Sequence, residues 1–275
     1  VGVSHGKLRV MSNTLMEKWA SNQEVLGTWL SLPDSHAAEI AARVDFDYVC
    51  IDMQHGMADY QVATVMLQAI TLTQMGTPIC RVPWNEPGII GRMLDAGAQG
   101  IIIPMVNSAE EAVRAVDATK YPPLGQRSHG PTIIGGRARS LGEEYYPTAN
   151  DTNACIPMIE TRDAVENLDE ILAVDGVDAI YVGPADLSLS YGYGPAYSDD
   201  NEEYKEVLEY IVERCNKAGK VAGIHSTVGL APNRREKGFM MQTISGDVAA
   251  LAKGSYRDLQ DARAGETGDG SSRIY

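Results

Sequence analysis

Apolar and polar positions alternate along this chain in blocks that repeat from about residue 25 to residue 263. Short apolar runs of strand length are followed by longer segments in which apolar residues recur every three or four positions, the spacing of an amphipathic helix. The runs that predict strands cover residues 25–32, 48–52, 78–82, 100–105, 154–159, 179–182, 221–224 and 239–244. Eight strands that alternate with helices predict an α/β fold whose parallel sheet closes into a (β/α)₈ TIM barrel.

An open, doubly wound sheet is the alternative arrangement of the same elements. The chain carries no Gly-x-Gly-x-x-Gly motif after its first predicted strand, and a count of eight strands suits a closed barrel, so we prefer the barrel. The barrel domain is expected to span residues 25–264. An N-terminal arm with a short helix, residues 1–24, is expected to precede it, and a flexible tail, residues 265–275, to follow it.

Residues 119–153 interrupt the alternation. Closely spaced prolines and glycines there predict a long loop without a packed element, and loops of this length most often act as lids or binding loops. Polar and basic residues of the loop would form a local positive cluster on an acidic protein; they are Arg127, Ser128, His129, Arg137 and Arg139. A solvated surface loop, or a contact between subunits, is the alternative.

The charge of the chain limits its partners. Its formal net charge is -14 and its pI is near 4.7, so we expect neither nucleic acid nor an anionic membrane as partner, since both require a basic surface. The four cysteines form no Cys-x-x-Cys pair, which argues against a zinc knuckle and favours buried free thiols. No apolar run reaches the length of a membrane span, and the first twenty residues lack the apolar centre of a signal peptide. A cytoplasmic location is therefore expected.

Catalytic residues of a (β/α)₈ barrel lie at the carboxyl ends of its strands. This rule selects five polar residues, which are His55, Arg81, Glu160, Asp186 and His225. No lysine is among them, because Lys220 begins a strand while Lys120 and Lys237 follow helices. Schiff-base catalysis, which needs an amine at the mouth of the barrel, is therefore not expected.

Two carboxylates at neighbouring strand ends could hold one hard cation. Glu160 and Asp186 would suit Mg²⁺ or Mn²⁺, although each could instead cap the helix that follows it. Such a cation could chelate a 2-oxo acid, and Arg81 could hydrogen-bond the keto oxygen as it becomes an enolate. For Arg81, a salt bridge inside the barrel mouth is the alternative.

The remaining polar candidates would handle protons and bind the substrate. His55 is the candidate base because a histidine pKa is naturally near neutrality, and a loop histidine bound to a backbone carbonyl is the alternative. The amides of Ala185 and Asp186, at the start of a helix, could bind the substrate carboxylate. His225 could line the pocket. Asp95, far along a predicted helix, is an ordinary surface residue on these grounds.

Five motifs follow one another along the chain: Asp52-Met53-Gln54-His55-Gly56, Arg81-Val82-Pro83-Trp84-Asn85-Glu86-Pro87, Tyr121-Pro122-Pro123-Leu124-Gly125-Gln126-Arg127, Ile159-Glu160-Thr161 and Gly183-Pro184-Ala185-Asp186-Leu187. They resemble the motifs of the metal-dependent pyruvate aldolases, which include 4-hydroxy-2-oxoheptanedioate aldolase and 2-dehydro-3-deoxyglucarate aldolase. The resemblance extends from about residue 26 to residue 252. It implies a carbon–carbon lyase that reversibly cleaves a 4-hydroxy-2-oxo acid to pyruvate, or a close 2-oxo acid, and an aldehyde.

The same resemblance implies a barrel of the phosphoenolpyruvate/pyruvate type that assembles as a homo-hexamer. Glu160 and Asp186 would be the ligands of Mg²⁺, Mn²⁺ or Co²⁺. His55 would be the base, and Asp95 would orient it and raise its basicity. For Asp95, this role differs from the surface position that the sequence pattern alone suggests.

The family's arginine falls on Arg81, and its carboxylate-binding amides fall on Ala185 and Asp186. Two positions depart from the pattern of many members. Gln54 stands where they have a glutamate before the catalytic histidine, and Met158 stands where they have a glutamine two residues before the metal-binding glutamate. A substrate contact at Met158 would be apolar, which suggests a less polar aldehyde side.

The Asp-Met-Gln-His-Gly and Pro-Trp-Asn-Glu-Pro motifs are similar to those of the branch that contains macrophomate synthase. That enzyme decarboxylates oxaloacetate and uses the resulting enolate, so oxaloacetate decarboxylation by the same metal and arginine is the alternative function. A barrel that binds 2-oxo acids as a scaffold, without turnover, is a further alternative. We disfavour it because every expected catalytic position is filled.

Overall fold

Eight parallel strands close into a barrel in which each strand pairs with its neighbours in sequence and the eighth pairs with the first. The computed structural model describes residues 13–195 and 201–265; the first twelve residues of the predicted arm and residues 266–275 of the predicted tail lie outside this range. The strands are β1 Val25–Leu30, β2 Tyr48–Asp52, β3 Thr77–Arg81, β4 Gly100–Ile103, β5 Ala154–Ile159, β6 Ala179–Val182, β7 Val221–His225 and β8 Met241–Gly246. The predicted (β/α)₈ barrel is confirmed.

Helices cover the outside of this barrel. They are α1 Thr14–Ala20, α2 Ser35–Ala42, α3 Tyr60–Thr73, α4 Pro87–Ala96, α5 Ala109–Thr119, α6 Thr132–Ser140, α7 Ala149–Thr152, α8 Arg162–Glu166, α9 Leu168–Leu172, α10 Pro184–Ser190, α11 Glu202–Ala218, α12 Ala231–Lys237 and α13 Asp247–Ala264. Aspartates begin two of the early helices, because the carboxylates of Asp34 and Asp59 accept hydrogen bonds from the first-turn amides of α2 and α3. None of the helices within the described ranges is long and apolar enough to cross a membrane.

Side chains alternate between the inside of the barrel and the helical layer, because successive residues of a strand point to opposite faces. In β2, Tyr48 and Cys50 belong to the buried cluster inside the barrel, whereas Val49 and Ile51 belong to the larger cluster between strands and helices. All five residues of β2 are buried. This two-sided burial explains why the strands have nearly continuous apolar sequences rather than alternating ones.

Three hydroxyl groups join across the barrel interior and form what we call the barrel floor: Tyr48, Tyr181 and Thr243. The Thr243 hydroxyl lies 2.8 Å from the Tyr48 hydroxyl and 2.6 Å from that of Tyr181. Gly27 makes room for this arrangement, since a Cβ atom there would lie 2.2 Å from the Tyr48 ring. The floor links β2, β6 and β8, and Leu15 of α1 packs in the same interior cluster.

The prediction of a loop without packed elements at residues 119–153 is wrong. The segment contains α6, a 3₁₀ turn at Tyr146–Thr148 and α7. A small cluster holds it together, formed by Tyr121, Ile134, Ala138, Tyr145 and Ala149. Ile134 and Ala138 lie one turn apart on α6 and supply its buried face, a pattern that the adjacent glycines of the helix obscure in the sequence.

The expected positive cluster in that segment is also wrong for Arg127. Its guanidinium is buried, lies 4.5 Å from the centre of the Tyr121 ring, and donates hydrogen bonds to Tyr145 Oη and Asp95 Oδ1. Arg127 is thus part of the packing and not a free surface charge. Arg137 and Arg139 are the more accessible arginines of the segment, half-buried and exposed respectively.

The last helix, α13, packs differently from the others. It has eighteen residues and none of them is buried. Val248, Leu251 and Leu259 lie on one face of this helix and are 51%, 64% and 47% exposed. A helix with an uncovered apolar face of this kind is expected to pack against another surface.

Candidate active site

The carboxyl ends of the strands form the mouth of the barrel. Its polar side chains come from residues near the ends of these strands. Asp52 and Arg81 continue the inward positions of β2 and β3 and sit opposite each other in the strand register. Glu160 follows β5 directly, and His225 is the last residue of β7. Trp29 is the corresponding inward residue near the end of β1. Each of these five strands therefore carries a polar or aromatic residue near, at or directly after its carboxyl end.

Arg81 and Asp52 form a buried, bidentate ion pair. Arg81 Nε lies 2.9 Å from Asp52 Oδ1, and Nη2 lies 2.6 Å from Oδ2. Burial would raise the pKa of Asp52, but the hydrogen bonds and charge of Arg81, with a smaller contribution from Trp29, bring that pKa below its ordinary value. Burial opposes the charge of Arg81 as well, and Asp52 raises the arginine pKa above its usual value. Both groups are therefore ionised.

Asp52 also fixes the loop that follows β2. Its Oδ1 atom accepts hydrogen bonds from the amides of Gln54, at 3.0 Å, and His55, at 3.3 Å. The carboxylate that holds the guanidinium of Arg81 thus also holds the backbone of the candidate base.

Trp29 and His225 pack beside this ion pair. The guanidinium of Arg81 lies 4.9 Å from the centre of the Trp29 ring, and the His225 ring meets the same indole edge-on at 5.2 Å. Burial, together with the positive charge of Arg81, lowers the pKa of His225 to about 4, with Asp52 opposing this shift. His225 is therefore neutral near pH 7, and the structure brings it into the mouth.

Glu160 faces a different environment. Its side chain is 1% exposed, and its Oε1 atom accepts a hydrogen bond of 2.7 Å from the amide of Met105. Burial raises the pKa of Glu160 to about 7; the Met105 amide opposes this shift and the charge of Asp186 adds to it. Met105 has a positive φ of 54°, a conformation that is rare for residues other than glycine. Its backbone is thus held in a costly geometry that aims the amide at the carboxylate.

Gly183 is needed where β6 ends beside Glu160. A Cβ atom on Gly183 would lie 2.4 Å from Glu160 Oε2 and 3.0 Å from the terminal carbon of Met158. Met158 is 2% exposed and lies one inward position below Glu160 on β5. Pro184 then starts α10, so Ala185 and Asp186 occupy its first turn, where amides lack intrahelical acceptors. Asp186 itself is exposed.

The structure does not bring Asp95 to His55 within one chain. His55 is exposed in the loop after β2, at the mouth. Asp95 lies in the last turn of α4, which returns to the amino ends of the strands, and Arg127 Nη2 donates to it at 2.6 Å. Within residues 13–195 and 201–265, no hydrogen bond or ion pair joins the two side chains. Their pairing stays a prediction.

Sequence reasoning misses three residues of the mouth. The pattern of the chain places Trp29 and Asp52 inside strands, and Met105 at the end of an apolar strand. Counting inward positions from the strand register would select Trp29 and Asp52, because every second residue of a barrel strand points inside. No sequence signal points to the Met105 amide, since its role depends on a backbone conformation.

The parallel barrel and its carboxylate-and-arginine mouth define an α/β-barrel protein whose polar centre lies at the carboxyl ends of the strands. The model of the HpcH/HpaI aldolase/citrate lyase family matches residues 26–250, and the chain belongs to this family. The resemblance drawn from the five motifs is thereby confirmed at the level of the family.

Individual relatives agree with this assignment. The chain is 40% identical, over 92% of its length and 99% of the relative, to a hydroxypyruvate/pyruvate aldolase of Rhizorhabdus wittichii. It is 35% identical, over 96% of its length and the whole of the relative, to a 4-hydroxy-2-oxo-heptane-1,7-dioate aldolase of Salmonella dublin. A solved member of the family from Burkholderia cenocepacia superposes with a TM-score of 0.84 at 31% identity, covering 92% of this chain and 100% of that one.

The macrophomate synthase structure shares the fold, with a TM-score of 0.80 at 23% identity over 94% of this chain and 92% of that one. A likeness at this identity concerns the fold alone.

Proposed function

We propose that the protein is a divalent-metal-dependent aldolase that reversibly cleaves a 4-hydroxy-2-oxo acid to pyruvate, or a close 2-oxo acid, and an aldehyde. One observation carries the proposal: two carboxylates that repel each other and an ion-paired arginine meet at the mouth of a barrel of the HpcH/HpaI family. Retro-aldol cleavage leaves an enolate, and these groups are suited to bind and stabilise that anion.

The residues present fit a hard divalent cation. Glu160 and Asp186 supply oxygen ligands, and the pKa of Glu160 rises partly because Asp186 repels it, a penalty that a cation between them would remove. In the part of the chain that the structure describes, no group of three histidine, cysteine or acidic side chains could hold a metal. Two carboxylates suit Mg²⁺, Mn²⁺ or Co²⁺, with water and substrate oxygens completing the coordination. Such an ion, when bound, supplies Lewis acidity at the keto group of the 2-oxo acid.

Arg81 stabilises the negative charge that develops on the keto oxygen. Its guanidinium is ionised throughout and is held in one orientation by Asp52 and the face of Trp29. An oriented donor needs no reorganisation when the enolate forms, which is the condition under which electrostatic stabilisation is largest. The first-turn amides of Ala185 and Asp186 bind the carboxylate of the substrate.

Met158 and His225 line the substrate pocket. Met158 presents an apolar surface beneath Glu160, whereas the neutral His225 ring lies edge-on to Trp29. His55 takes the proton from the C4 hydroxyl, directly or through a water molecule. If Asp95 orients His55, the aspartate must come from another copy of the chain, because within one chain it is paired with Arg127.

The protein assembles with copies of itself, as the expected homo-hexamer. The uncovered apolar face of α13 supports self-association, because an eighteen-residue helix without one buried residue is costly to leave in water. Light scattering should report six times the 29.7 kDa mass of the chain, and Leu251→Lys should lower that mass. A wild-type mass of one chain would rule out the hexamer.

The cytoplasmic location is likewise proposed, in agreement with four cysteines that are free and buried.

Proton exchange tests the proposed chemistry without knowledge of the natural aldehyde. Pyruvate is incubated in deuterated water with the protein and Mg²⁺, and loss of its methyl signal reports enolisation by NMR. We expect exchange that stops on addition of a chelator, and an aldol product when an aldehyde is added. Neither exchange nor adduct across a broad panel of aldehydes would contradict the proposal. Release of CO₂ from oxaloacetate without aldehyde, and no aldol product, would favour decarboxylation instead.

A further inference from the structure

A cavity lies at the opposite end of the barrel from the mouth. Its volume is about 510 Å³, it is open to solvent on one side, and it is bordered by the end of α3, by Gly97 and Gln99 after α4, by α6, and by Thr77 and Pro78 at the amino end of β3. The strands run away from this cavity toward the mouth, so it shares no lining residue with Glu160, Arg81 or the other mouth residues. It is therefore separate from the proposed aldolase site.

Arg137 of α6 brings a positive charge into this cavity without a matching acid. Within the described residues, the one hydrogen bond of its guanidinium joins Nη1 to Thr71 Oγ1 at a long 3.4 Å, and no carboxylate lies within ion-pair distance of it there. Burial lowers the pKa of Arg137, as expected for a cation that loses water without gaining a counter-charge. No residue that lines the cavity is acidic, although the chain carries a net charge of -14.

The walls around this guanidinium are mostly apolar. Ile133 and Ile134 come from α6 and Leu72 from α3, whereas Met75 follows α3 and Leu141 follows α6. Arg137 Nη1 passes close to Gly97, where a Cβ atom would lie only 3.0 Å away. The cavity thus combines one charged donor group with a partly exposed apolar wall, and it is large enough for a small organic molecule.

We propose that this cavity binds a small monocarboxylate with an apolar body, and that Arg137 holds the carboxylate. The planar guanidinium matches a carboxylate and can donate two parallel hydrogen bonds to it. A single negative charge is favoured over a phosphate dianion because the carboxyl ends of α3 and α4, with their partial negative charge, also border the cavity. The apolar walls then bury the hydrocarbon part of the ligand.

Calorimetric titration of the full-length protein with hexanoate tests this proposal. The matched variants are Arg137→Leu, which removes the charge, and Arg139→Leu, which removes an exposed arginine two residues further along the same helix. We expect Arg137→Leu to weaken hexanoate binding at least about tenfold, the lower range for a charge-assisted hydrogen bond, and Arg139→Leu to leave it unchanged. Hexan-1-ol should bind at least about tenfold more weakly than hexanoate to the wild type.

Two further measurements keep the outcome clear. Ile133→Trp should block hexanoate by filling the cavity while Arg137 stays in place, which covers the case in which Arg137→Leu does not fold. Saturating oxalate with Mg²⁺ should leave hexanoate affinity unchanged, since oxalate would occupy the mouth. Equal binding by Arg137→Leu, equal binding of the alcohol, or displacement by oxalate would overturn the proposal. The proposal would also fail if the wild type bound no hexanoate and Arg137→Leu changed the molecular mass of the assembly. That result would show that Arg137 lies in a contact between subunits.

Discussion

The two sides of the barrel mouth handle charge in opposite ways. On the arginine side, formed by Trp29, Asp52, Arg81 and His225, each charged group has a partner of opposite charge and the histidine is neutral. On the acid side, formed by Met105, Glu160 and Asp186, two carboxylates repel each other, and the Met105 amide and the more weakly acting charge of Arg81 compensate the buried one only in part.

This difference shows which part of the site is preorganised in the protein alone and which part requires a bound ion. The arginine side is preorganised, because its hydrogen bonds and its aromatic contact exist before any substrate arrives. When ionised, the acid side carries a penalty from burial and from the repulsion of Asp186, and a bound cation would remove it. The arginine side is thus ready to bind an anion, whereas the acid side is complete only with a bound cation.

Removal of the buried carboxylate should have the largest effect on turnover. Glu160→Gln keeps the shape of the side chain but removes a metal ligand, so we expect pyruvate proton exchange to fall by about 10³–10⁴-fold, the several kcal/mol that metal polarisation supplies. Exchange is followed by NMR at saturating Mg²⁺. The exposed Glu166→Gln, on α8, is the matched control and should retain wild-type exchange. A Glu160→Gln protein that exchanges within tenfold of the wild type would remove Glu160 from the metal site.

Disruption of the arginine side should cost stability as well as activity. Asp52→Asn leaves the buried charge of Arg81 without its counter-ion, and we expect the free energy of unfolding to fall by about 3–5 kcal/mol in urea titrations. The double variant Asp52→Asn with Arg81→Met should recover most of this loss, because no unpaired charge remains. Asp175→Asn, at an exposed position, should change stability by less than about 0.5 kcal/mol. No recovery in the double variant would mean that the loss is not electrostatic.

The acid side should show the reverse behaviour in metal-free protein. The pKa of Glu160 is about 7 in the folded state, above its ordinary value of 4.5, so its ionisation destabilises the fold as pH rises from about 4.5 to 7. Glu160→Gln should therefore raise the free energy of unfolding by up to about 3 kcal/mol at pH 8 and by little at pH 5. Urea titrations in the presence of chelator at both pH values measure this. A destabilised variant at pH 8 would show that the carboxylate is already compensated.

The smallest of these effects concerns His225. The pKa of His225 in the folded state, about 4, lies below the ordinary value of 6.5. Between these pH values the histidine is protonated in the unfolded chain but not in the folded one, so stability is lost as pH falls from 6.5 toward 4. His225→Phe should flatten this acid-side slope by about 1–2 kcal/mol in pH-dependent unfolding. His36→Phe, at an exposed position, should leave the slope unchanged. The same slope in His225→Phe and in the wild type would mean that this ring is not kept neutral.

Much of this arrangement follows from the sequence. The apolar runs predict all eight strands, although β8 begins at Met241 and not at Phe239, because Phe239 packs in the outer layer before the strand starts. Strand-end position also selects Arg81 and Glu160, since a charged residue at the carboxyl end of a buried barrel strand lies where such barrels place their active sites.

The remainder depends on three-dimensional relations that a linear pattern does not contain. Trp29 and Asp52 enter the site through the direction of alternate side chains, and Met105 through its backbone angle. The sequence does not predict α6, because Gly135 and Gly136 lower the helix propensity of this segment. In the folded protein, packing of Ile134 within the 119–153 segment stabilises the helix. Asp95 looks like a surface residue and pairs with Arg127, which is 32 positions away.

The barrel floor has a consequence for how this protein could acquire new substrates. Tyr48, Tyr181 and Thr243 fill the interior below the mouth, and their hydroxyl groups hydrogen-bond one another, while the Trp29 ring stacks on Tyr181 at 5.8 Å. Directed evolution could therefore vary His225 and the exposed residues of the mouth while this hydroxyl network holds the interior, so that selection acts on the aldehyde; changes at the buried Met158 would be confined to apolar side chains. Variation concentrated above a constant floor is what makes such a scaffold evolvable.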